Sequence, residues 1–383
     1  MDIKVKHYRD AEQRGEDAEK RGGEDAEKSA DTASKSAISA FFLKPIPKGV
    51  WVTFLVIVFL AGLILAAWIW RMKFDTGATK FKKTTSTKVS SPLNGVLVDE
   101  EVAARRPFAV VIENSSDARP QTGLDQADLV YEAVAEGGIT RFVALYVANE
   151  PDELGPVRSA RSYFVNWITP FEAFYAHCGG SAEALAQLKD EKPVIDLDQF
   201  KYAQSYWRVS TRYAPHNLYT SIARLKDAAK LSKADFNKKY ESLKFKKDAP
   251  QADRPTQQEI NIGWGFSYAV RWVYDSKTNS YARYMAGQAH NDAKSGKQIS
   301  AKTVIVEQVQ EQTVPSGSYM LEDIQTTGEG KVLIFRDGKK IEGTWKKATN
   351  SDRTKYYDSA GEPIELTAGL IWIEEVSQNI PVN

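Results

Sequence analysis

One set of residues between positions 132 and 217 has the types and spacing to do chemistry together: Glu132, Glu136, Arg141, Arg158, Arg161, His177, Gly179, Gly180, Ser181, His216 and Asn217. Glu132 and Glu136 share strand parity, which predicts both carboxylates on one face. Arg141 and Thr140 follow the Gly137-Gly138 turn. Arg158 and Arg161 are spaced i,i+3, which predicts two guanidiniums on one helix face. His177 closes an apolar run just before Gly179-Gly180-Ser181. A glycine turn that opens a helix presents unpaired N–H groups and the positive end of a dipole, which suits an anion. His216 and Asn217 follow Pro215 in a loop. The expectation is one polar cleft. Its arginines and glycine turn receive a carboxylate or phosphate, and Glu136, His177 and His216 contact sugar or peptide groups. A purely structural reading stands beside it. Arg141, Arg158 and Arg161 then form ion pairs with Glu132, Glu136 or Asp128, His177 is a half-buried histidine with its bonds satisfied, and the glycines serve tight turns.

Catalysis has less support. His177 and Cys178 are neighbours in a strand and point to opposite faces, which makes a poor base–nucleophile pair. A Cys178–His216 pair stays geometrically open, and so does Ser181 with either histidine, although no Gly-x-Ser-x-Gly elbow surrounds Ser181. An envelope hydrolase or transferase using His177, His216 and Glu136 is the alternative to plain binding. His177, His216, His290 and Asp292 show no metal-site spacing, and no Walker or dinucleotide fingerprint occurs. No metal or cofactor is therefore expected. Cys178 is the only cysteine, so no intrachain disulfide can form. A net charge of +1 gives no global field for nucleic acid.

The elements that must position these residues read as an α+β or α/β chain. Residues 107–113, 128–136, 139–147 and 172–178 are β-rich runs, with a hairpin at Gly137-Gly138. Helical spacing marks 158–170 and 220–231, and Ser181 is an N-cap candidate for a helix over AEALAQLKDE, with Ala184 rather than Glu at the capping-box position. A layered α/β domain is expected over 93–245. Proline and clustered charge make 246–256 a linker. Residues 257–383 look β-rich, with hairpins around SKTN and Asp337-Gly338 and a last strand at LIWIEEV. Tyr281, Tyr284, Trp272 and Trp345 are expected in the core of that region rather than on a carbohydrate platform.

Upstream, residues 50–70 (VWVTFLVIVFLAGLILAAWIW) carry no charge. That length spans a bilayer, and Trp51, Trp68 and Trp70 sit where aromatic rings favour the interface. The span is too long and too far from Met1 for a cleaved signal peptide. A charged tail with the repeated GEDAEK precedes it (1–49), expected to be disordered. A Lys/Thr/Ser-rich stalk follows (71–92), expected to be a flexible spacer. Basic residues are denser after the span than before it, and by the positive-inside rule this alone would put the large region in the cytoplasm.

Four segments appear together: ARPQTGLDQADLVYEAVAEGGITRF (118–142), LGPVRSARSYFVNW (154–167), AFYAHCGGSAEAL (173–185) and RYAPHNLYTS (212–221). Their order and spacing resemble the YerB-like family of bacterial envelope lipoproteins. Two C-terminal segments fit as well, YARYMAGQAHNDAKSGKQISAKTVIVEQV and GTWKKATNSDRTKYYDSAGEPIELTAGLIWIEE. The resemblance covers 93–383. It implies an extracytoplasmic protein with an N-terminal and a C-terminal domain, and it supplies no reaction. Family members commonly carry a lipidated cysteine, whereas this chain has an apolar span, so a transmembrane anchor would stand in for lipid. Cys178 also departs from the small residue expected at its position. On this reading the chain is a single-pass envelope protein with extracytoplasmic domains, and its partner is a cell-wall polymer or an envelope protein.

Overall fold

The computed structural model describes residues 48–74, 87–190, 193–265, 267–316 and 319–383. The chain divides into two compact units, Met1–Thr84 and Thr85–Asn383. In the first, helix α1 (Lys48–Phe74) carries apolar side chains on every face. Its stretch Gly49–Arg71 is long and apolar enough to cross a membrane, and none of it is buried against protein. A helix hydrophobic all round has the composition of a core helix or of a membrane span. The tail expected at 1–49 lies outside the described residues except for its last two, and so does most of the stalk. The stalk's end at Lys88–Ser90 is not spacer but a strand, paired with Leu97–Asp99.

The second unit is built on a ten-stranded sheet. Its strands are β1 (Phe108–Glu113), β2 (Leu129–Glu136), β3 (Ile139–Tyr146), β4 (Phe174–His177), β5 (Ile195–Asp198), β6 (Thr303–Val309), β7 (Gly328–Arg336), β8 (Lys339–Lys347), β9 (Lys355–Asp358) and β10 (Ile371–Ser377). The order across the sheet is β9-β8-β7-β6-β10-β2-β3-β1-β4-β5. β1 reads FAVVIE and is buried along its whole length, because both faces of the sheet are covered. On one face lie α2 (Ser162–Ile168) and α3 (Ala182–Asp190), whose Phe164, Trp167, Ala184 and Leu188 pack with Val111, Tyr131 and Val143. On the other lies α4 (Ile222–Ser232), with Leu225 and Ala228 against Val110, Val130 and Phe142. A smaller five-stranded sheet, whose longest strands are Glu259–Ile262, Val270–Asp275 and Ser280–Met285, covers that same face, with Trp272 and Tyr281 fully buried. Trp345 is buried as well, while Tyr284 is half-exposed beneath the Arg271 guanidinium.

The α/β character of 93–245 and the strand-rich character of 257–383 match the reading from sequence. The two halves nevertheless share one sheet. β2 pairs in parallel with β10, from Leu129 opposite Ile371 to Glu132 opposite Glu374. Residues 246–256 therefore separate two runs of sequence that meet again in the same ladder.

Two turns show why local chemistry was readable. Gly137 (φ 58°) and Gly138 (φ 75°) both sit in the left-handed region, as a two-residue hairpin of the I′ type requires. Asp337 (φ 52°) and Gly338 (φ 72°) do the same between β7 and β8. A Cβ on Gly338 would also lie 2.4 Å from Tyr274 Cε1, so that glycine is needed for space as well.

Candidate functional site

The expected face-sharing of Glu132 and Glu136 does not occur. A β-bulge between Val134 and Glu136 inserts one extra residue, so that Val134 opposes Thr140 and Glu136 opposes Ile139. Because side chains alternate with a period of two, one extra residue sends everything after it to the other face. Glu132 points to the α4 side and Glu136 to the α2/α3 side.

Glu136 lies on the floor of an open cleft. Arg141 Nη2 donates to its Oε1 at 2.7 Å, and Arg161 Nη2 donates to Oε2. The same guanidiniums are anchored by main-chain carbonyls, Arg141 to Ser159 O (3.0 Å) and Arg161 to Ala160 O (2.7 Å). Burial alone would raise the Glu136 carboxyl, but the two positive charges outweigh it and hold it below its ordinary range. The cleft has a volume of about 490 Å³, and its walls include Ser159, Arg161, Gly180, Ser181, Ser316 and Met320. That volume lies within the roughly 300–1,000 Å³ of small-ligand pockets. Ser181 caps α3, its Oγ accepting from Ala184 N at 3.2 Å. Gly180 is close-packed, since a Cβ there would lie 3.1 Å from Ala160 Cβ. Gly179 has φ 61° and turns the chain out of β4.

Arg158 and Arg161 do not share a helix face. α2 begins at Ser162, and Arg161 is its extended N-cap residue (φ −132°, ψ 150°). Residues 158–161 run as a strand-like segment along 178–181, with Cys178 N donating to Arg158 O and Ala160 N to Gly179 O. Arg158 meets a different carboxylate, its Nε 3.1 Å from Glu113 Oε1. Glu113 also accepts from Ser115 Oγ (2.9 Å) and faces His216 Nδ1 at 2.9 Å. Glu113 and Arg141 are cross-strand partners, so this cluster and the cleft lie side by side in one row. The Ser115–His216–Glu113 group is not wired as a proton relay. Serine and carboxylate both address Nδ1, whereas a relay needs them on opposite ring nitrogens.

His177 is fully buried, with Nδ1 2.8 Å from Gly179 O and Nε2 2.9 Å from Asp196 Oδ1. Both nitrogens are occupied by protein groups, so this residue fixes the turn and does not reach the cleft. Cys178 Sγ faces Gln199 Oε1 at 3.6 Å, and burial, then the Asp198 charge, push its thiol upward, away from a reactive thiolate. Asn217 holds its own loop, accepting from Arg208 Nη1 (2.7 Å) and donating to Val209 O (3.1 Å). His177, His216 and Glu136 thus occupy three separate environments.

Glu132 belongs to a closed ring of buried side chains. Arg283 Nη2 donates to Glu132 Oε2, and Arg283 Nη1 donates to His290 Nδ1 at 2.7 Å. His290 Nε2 then donates to Gln121 Oε1 (2.8 Å), and Gln121 Nε2 to Asn114 Oδ1 (2.8 Å). Asn114 Nδ2 donates to Thr140 Oγ1 (2.7 Å), whose hydroxyl returns to Glu132 Oε1 (2.8 Å). The direction of every bond is consistent if His290 is neutral. Burial, then the positive charges of Arg283 and Arg119, hold it well below its usual range. Glu374, opposite Glu132, accepts from Trp272 Nε1 at 2.8 Å. Burial, then the Glu132 charge, push the Glu374 carboxyl well above its ordinary range.

Sequence reasoning missed Asn114, Gln121, Arg283 and Glu374, and also Glu113 and Ser115, and weighed His290 only as a metal ligand. One signal was available: two adjacent glutamates inside the apolar run LIWIEEV, which had to be buried on opposite faces. Among the described residues, no group of three His, Cys, Asp or Glu side chains is placed to hold a metal ion.

Comparison with known proteins bears on the whole of the second unit. Residues 93–236 match the family model described as protein of unknown function (DUF3048) N-terminal domain, and residues 260–373 match its C-terminal domain. A Bacillus subtilis (strain 168) protein named "Putative lipoprotein YerB" is 34% identical over 298 residues, which is 76% of this chain and 87% of that protein. The crystal structure of YerB protein from Bacillus subtilis superposes with a TM-score of 0.70 at 30% identity, covering 77% of this chain and 100% of that one. The matched segments, the shared sheet and the superposition agree: the chain belongs to the DUF3048 family, of which it carries both the N-terminal and the C-terminal domain.

Proposed function

We propose that this protein is a membrane-tethered binding module of the bacterial cell envelope, with α1 as a single-pass anchor and residues 93–383 outside the cytoplasm. A relative that bears the name of a lipoprotein supports the envelope assignment, and α1 would do the work of a lipid. The cleft beside Glu136 receives a segment of cell-wall polymer or of an envelope partner, without turnover. The observation that carries this reading is the open cleft of about 490 Å³ floored by one carboxylate between two arginines. Its polar groups are fixed before any ligand arrives, as orienting groups in a binding site should be. A hydrolase reading lacks an assembled base and nucleophile, because the candidate histidines point elsewhere.

The test uses the full chain in detergent micelles, mixed with purified cell wall. Retention on the wall without released fragments is expected, and Arg161→Gln should lower retention by about tenfold, the effect of losing one charge-assisted contact of about 1.4 kcal/mol. Soluble fragments released by the wild type would replace this reading with the enzymatic one. Protease shaving of intact cells tests the topology; a protected second unit would place it in the cytoplasm and overturn the envelope assignment.

A further inference from the structure

The mouth of the cleft already holds an anion from this chain. Glu183, in the first turn of α3, has its carboxylate at the helix N-terminus. Ser316 Oγ donates to its Oε1 at 2.7 Å, across from the strand Glu311–Ser316. This hydrogen bond, then the residue's own main-chain N–H, the Ser181 hydroxyl and the Arg161 charge keep the carboxyl below its ordinary range. Ser181, Arg161 and Ser316 are themselves walls of the cleft. A carboxylate on a short flexible arm is therefore tied by Ser316 beside a cleft whose walls also present Ser181 and Arg161.

Two further observations point to an incoming group. Arg161 lines the cleft and is held in place before any ligand arrives, its Nη1 bonded to Ala160 O and its Nη2 to Glu136. Met320 is 54% exposed and stands with Leu321 on the wall opposite α3. A large apolar side chain left open beside fixed donors is the usual composition of a ligand pocket. With Glu183 in place, its charge and that of Glu136 balance Arg141 and Arg161; with Glu183 swung out, the cleft is left one positive charge in excess.

We propose that Glu183 is an internal stand-in for the ligand: the cleft takes the free carboxylate end of a peptide, which displaces Glu183 from α3 and Ser316 and lays its adjoining residues against Met320 and Leu321. This rests on the proposed binding function and names the ligand class of the same site. A carboxylate is favoured over a phosphate because the group resident there is itself a planar carboxylate. Displacement also breaks the hydrogen bond that ties the strand Glu311–Ser316 to α3, so binding loosens that strap.

The experiment compares N-acetyl-trialanine, with a free terminal carboxylate, against its terminal amide and against inorganic phosphate, titrated into the full chain in detergent by calorimetry. Glu183→Gln keeps the shape and the Ser316 partner but removes the competing charge. It should tighten binding of the carboxylate by about tenfold, a step of about 1.4 kcal/mol, and leave the amide unchanged. Arg161→Gln should abolish the gain. Equal or weaker carboxylate binding by Glu183→Gln would show an ordinary helix-end acid and overturn the inference. An equal gain for the amide, or a preference for phosphate, would overturn it too. Wall retention reports separately: if the wall is retained while the peptide fails, this inference falls alone and the binding function stands.

Discussion

Glu132 and Glu136 lie four positions apart in one strand and have opposite fates. Glu132 is fully buried and closed into a ring with Arg283, His290, Gln121, Asn114 and Thr140. Glu136 is 37% exposed at its side chain, between two arginines, on the floor of a cleft. One extra residue at the bulge divides them. The ring joins side chains from both halves of the chain and leaves no room for a ligand. The cleft draws its floor from the N-terminal half and part of its wall from the strand Tyr319–Ile324. The same residue type serves cohesion where every bond is internal, and recognition where one side is open. Burial and bond closure separate the two cases better than charge does.

The sharpest way to break the comparison is to open the ring. Arg283→Met keeps an unbranched apolar stem and removes the guanidinium. Glu132 is then left buried without its counter-charge, a mechanism that costs about 3–5 kcal/mol. Chemical denaturation of the full chain in detergent should show the loss in the transition of the second unit. A loss below about 1 kcal/mol would mean that the ring is not what holds the halves together.

None of that ring was legible in the sequence, and the reason is distance along the chain. Arg283 lies 151 positions from Glu132, and Trp372, which donates to the same carboxylate, lies 240 positions away. Periodicity and turn chemistry act over a few residues, so they found the Gly137-Gly138 hairpin, β1 to β4 and the capped α3. They could not place the bulge, because Ala135 carries no turn signal and ordinary alternation is the default expectation. The helix start was read early for a related reason. Arg158-Ser159-Ala160 looked helical in isolation, but main-chain bonds to 178–181 hold it extended. The glycine turn and Arg161 were correctly placed near one another, whereas His177, His216 and Arg158 were drawn into a cleft that they do not enter.

A second buried pair sharpens the contrast through pH. Glu307 and Glu375 are opposite each other on β6 and β10. Tyr356 Oη donates to Glu307 Oε1 at 2.6 Å, while neither Glu375 oxygen has a hydrogen-bond partner. Burial raises the Glu307 carboxyl from 4.5 to about 7. A carboxyl raised on folding contributes stability that is complete below the unfolded value and is lost as pH rises through the folded one. The second unit should therefore lose stability between about pH 4.5 and about 7 from this pair. Glu307→Gln, which can still accept from Tyr356, should flatten that decline. An unchanged slope in denaturation midpoints at pH 5 and pH 8 would show that the pair does not titrate in this window.

Glu136 should behave with the opposite sign and the smallest amplitude. Its carboxyl is held below 4.5 by Arg141 and Arg161 against the effect of burial. A carboxyl depressed on folding contributes stability above the unfolded value, and this is lost as pH falls through the folded one. Solvent reaches the group, so its contribution is about 1 kcal/mol or less. Glu136→Gln should therefore cost little at pH 7 and remove part of the acid-side loss below about pH 4.5, leaving the Glu307 slope untouched. The same variant leaves two guanidiniums without their shared carboxylate, so Arg161 loses the contact that fixes its orientation. Retention on cell wall should consequently change far more than stability does. If stability falls by several kcal/mol while retention stays the same, the cleft carboxylate is a structural ion pair like the one at Glu132, and the division made by the bulge has no functional meaning.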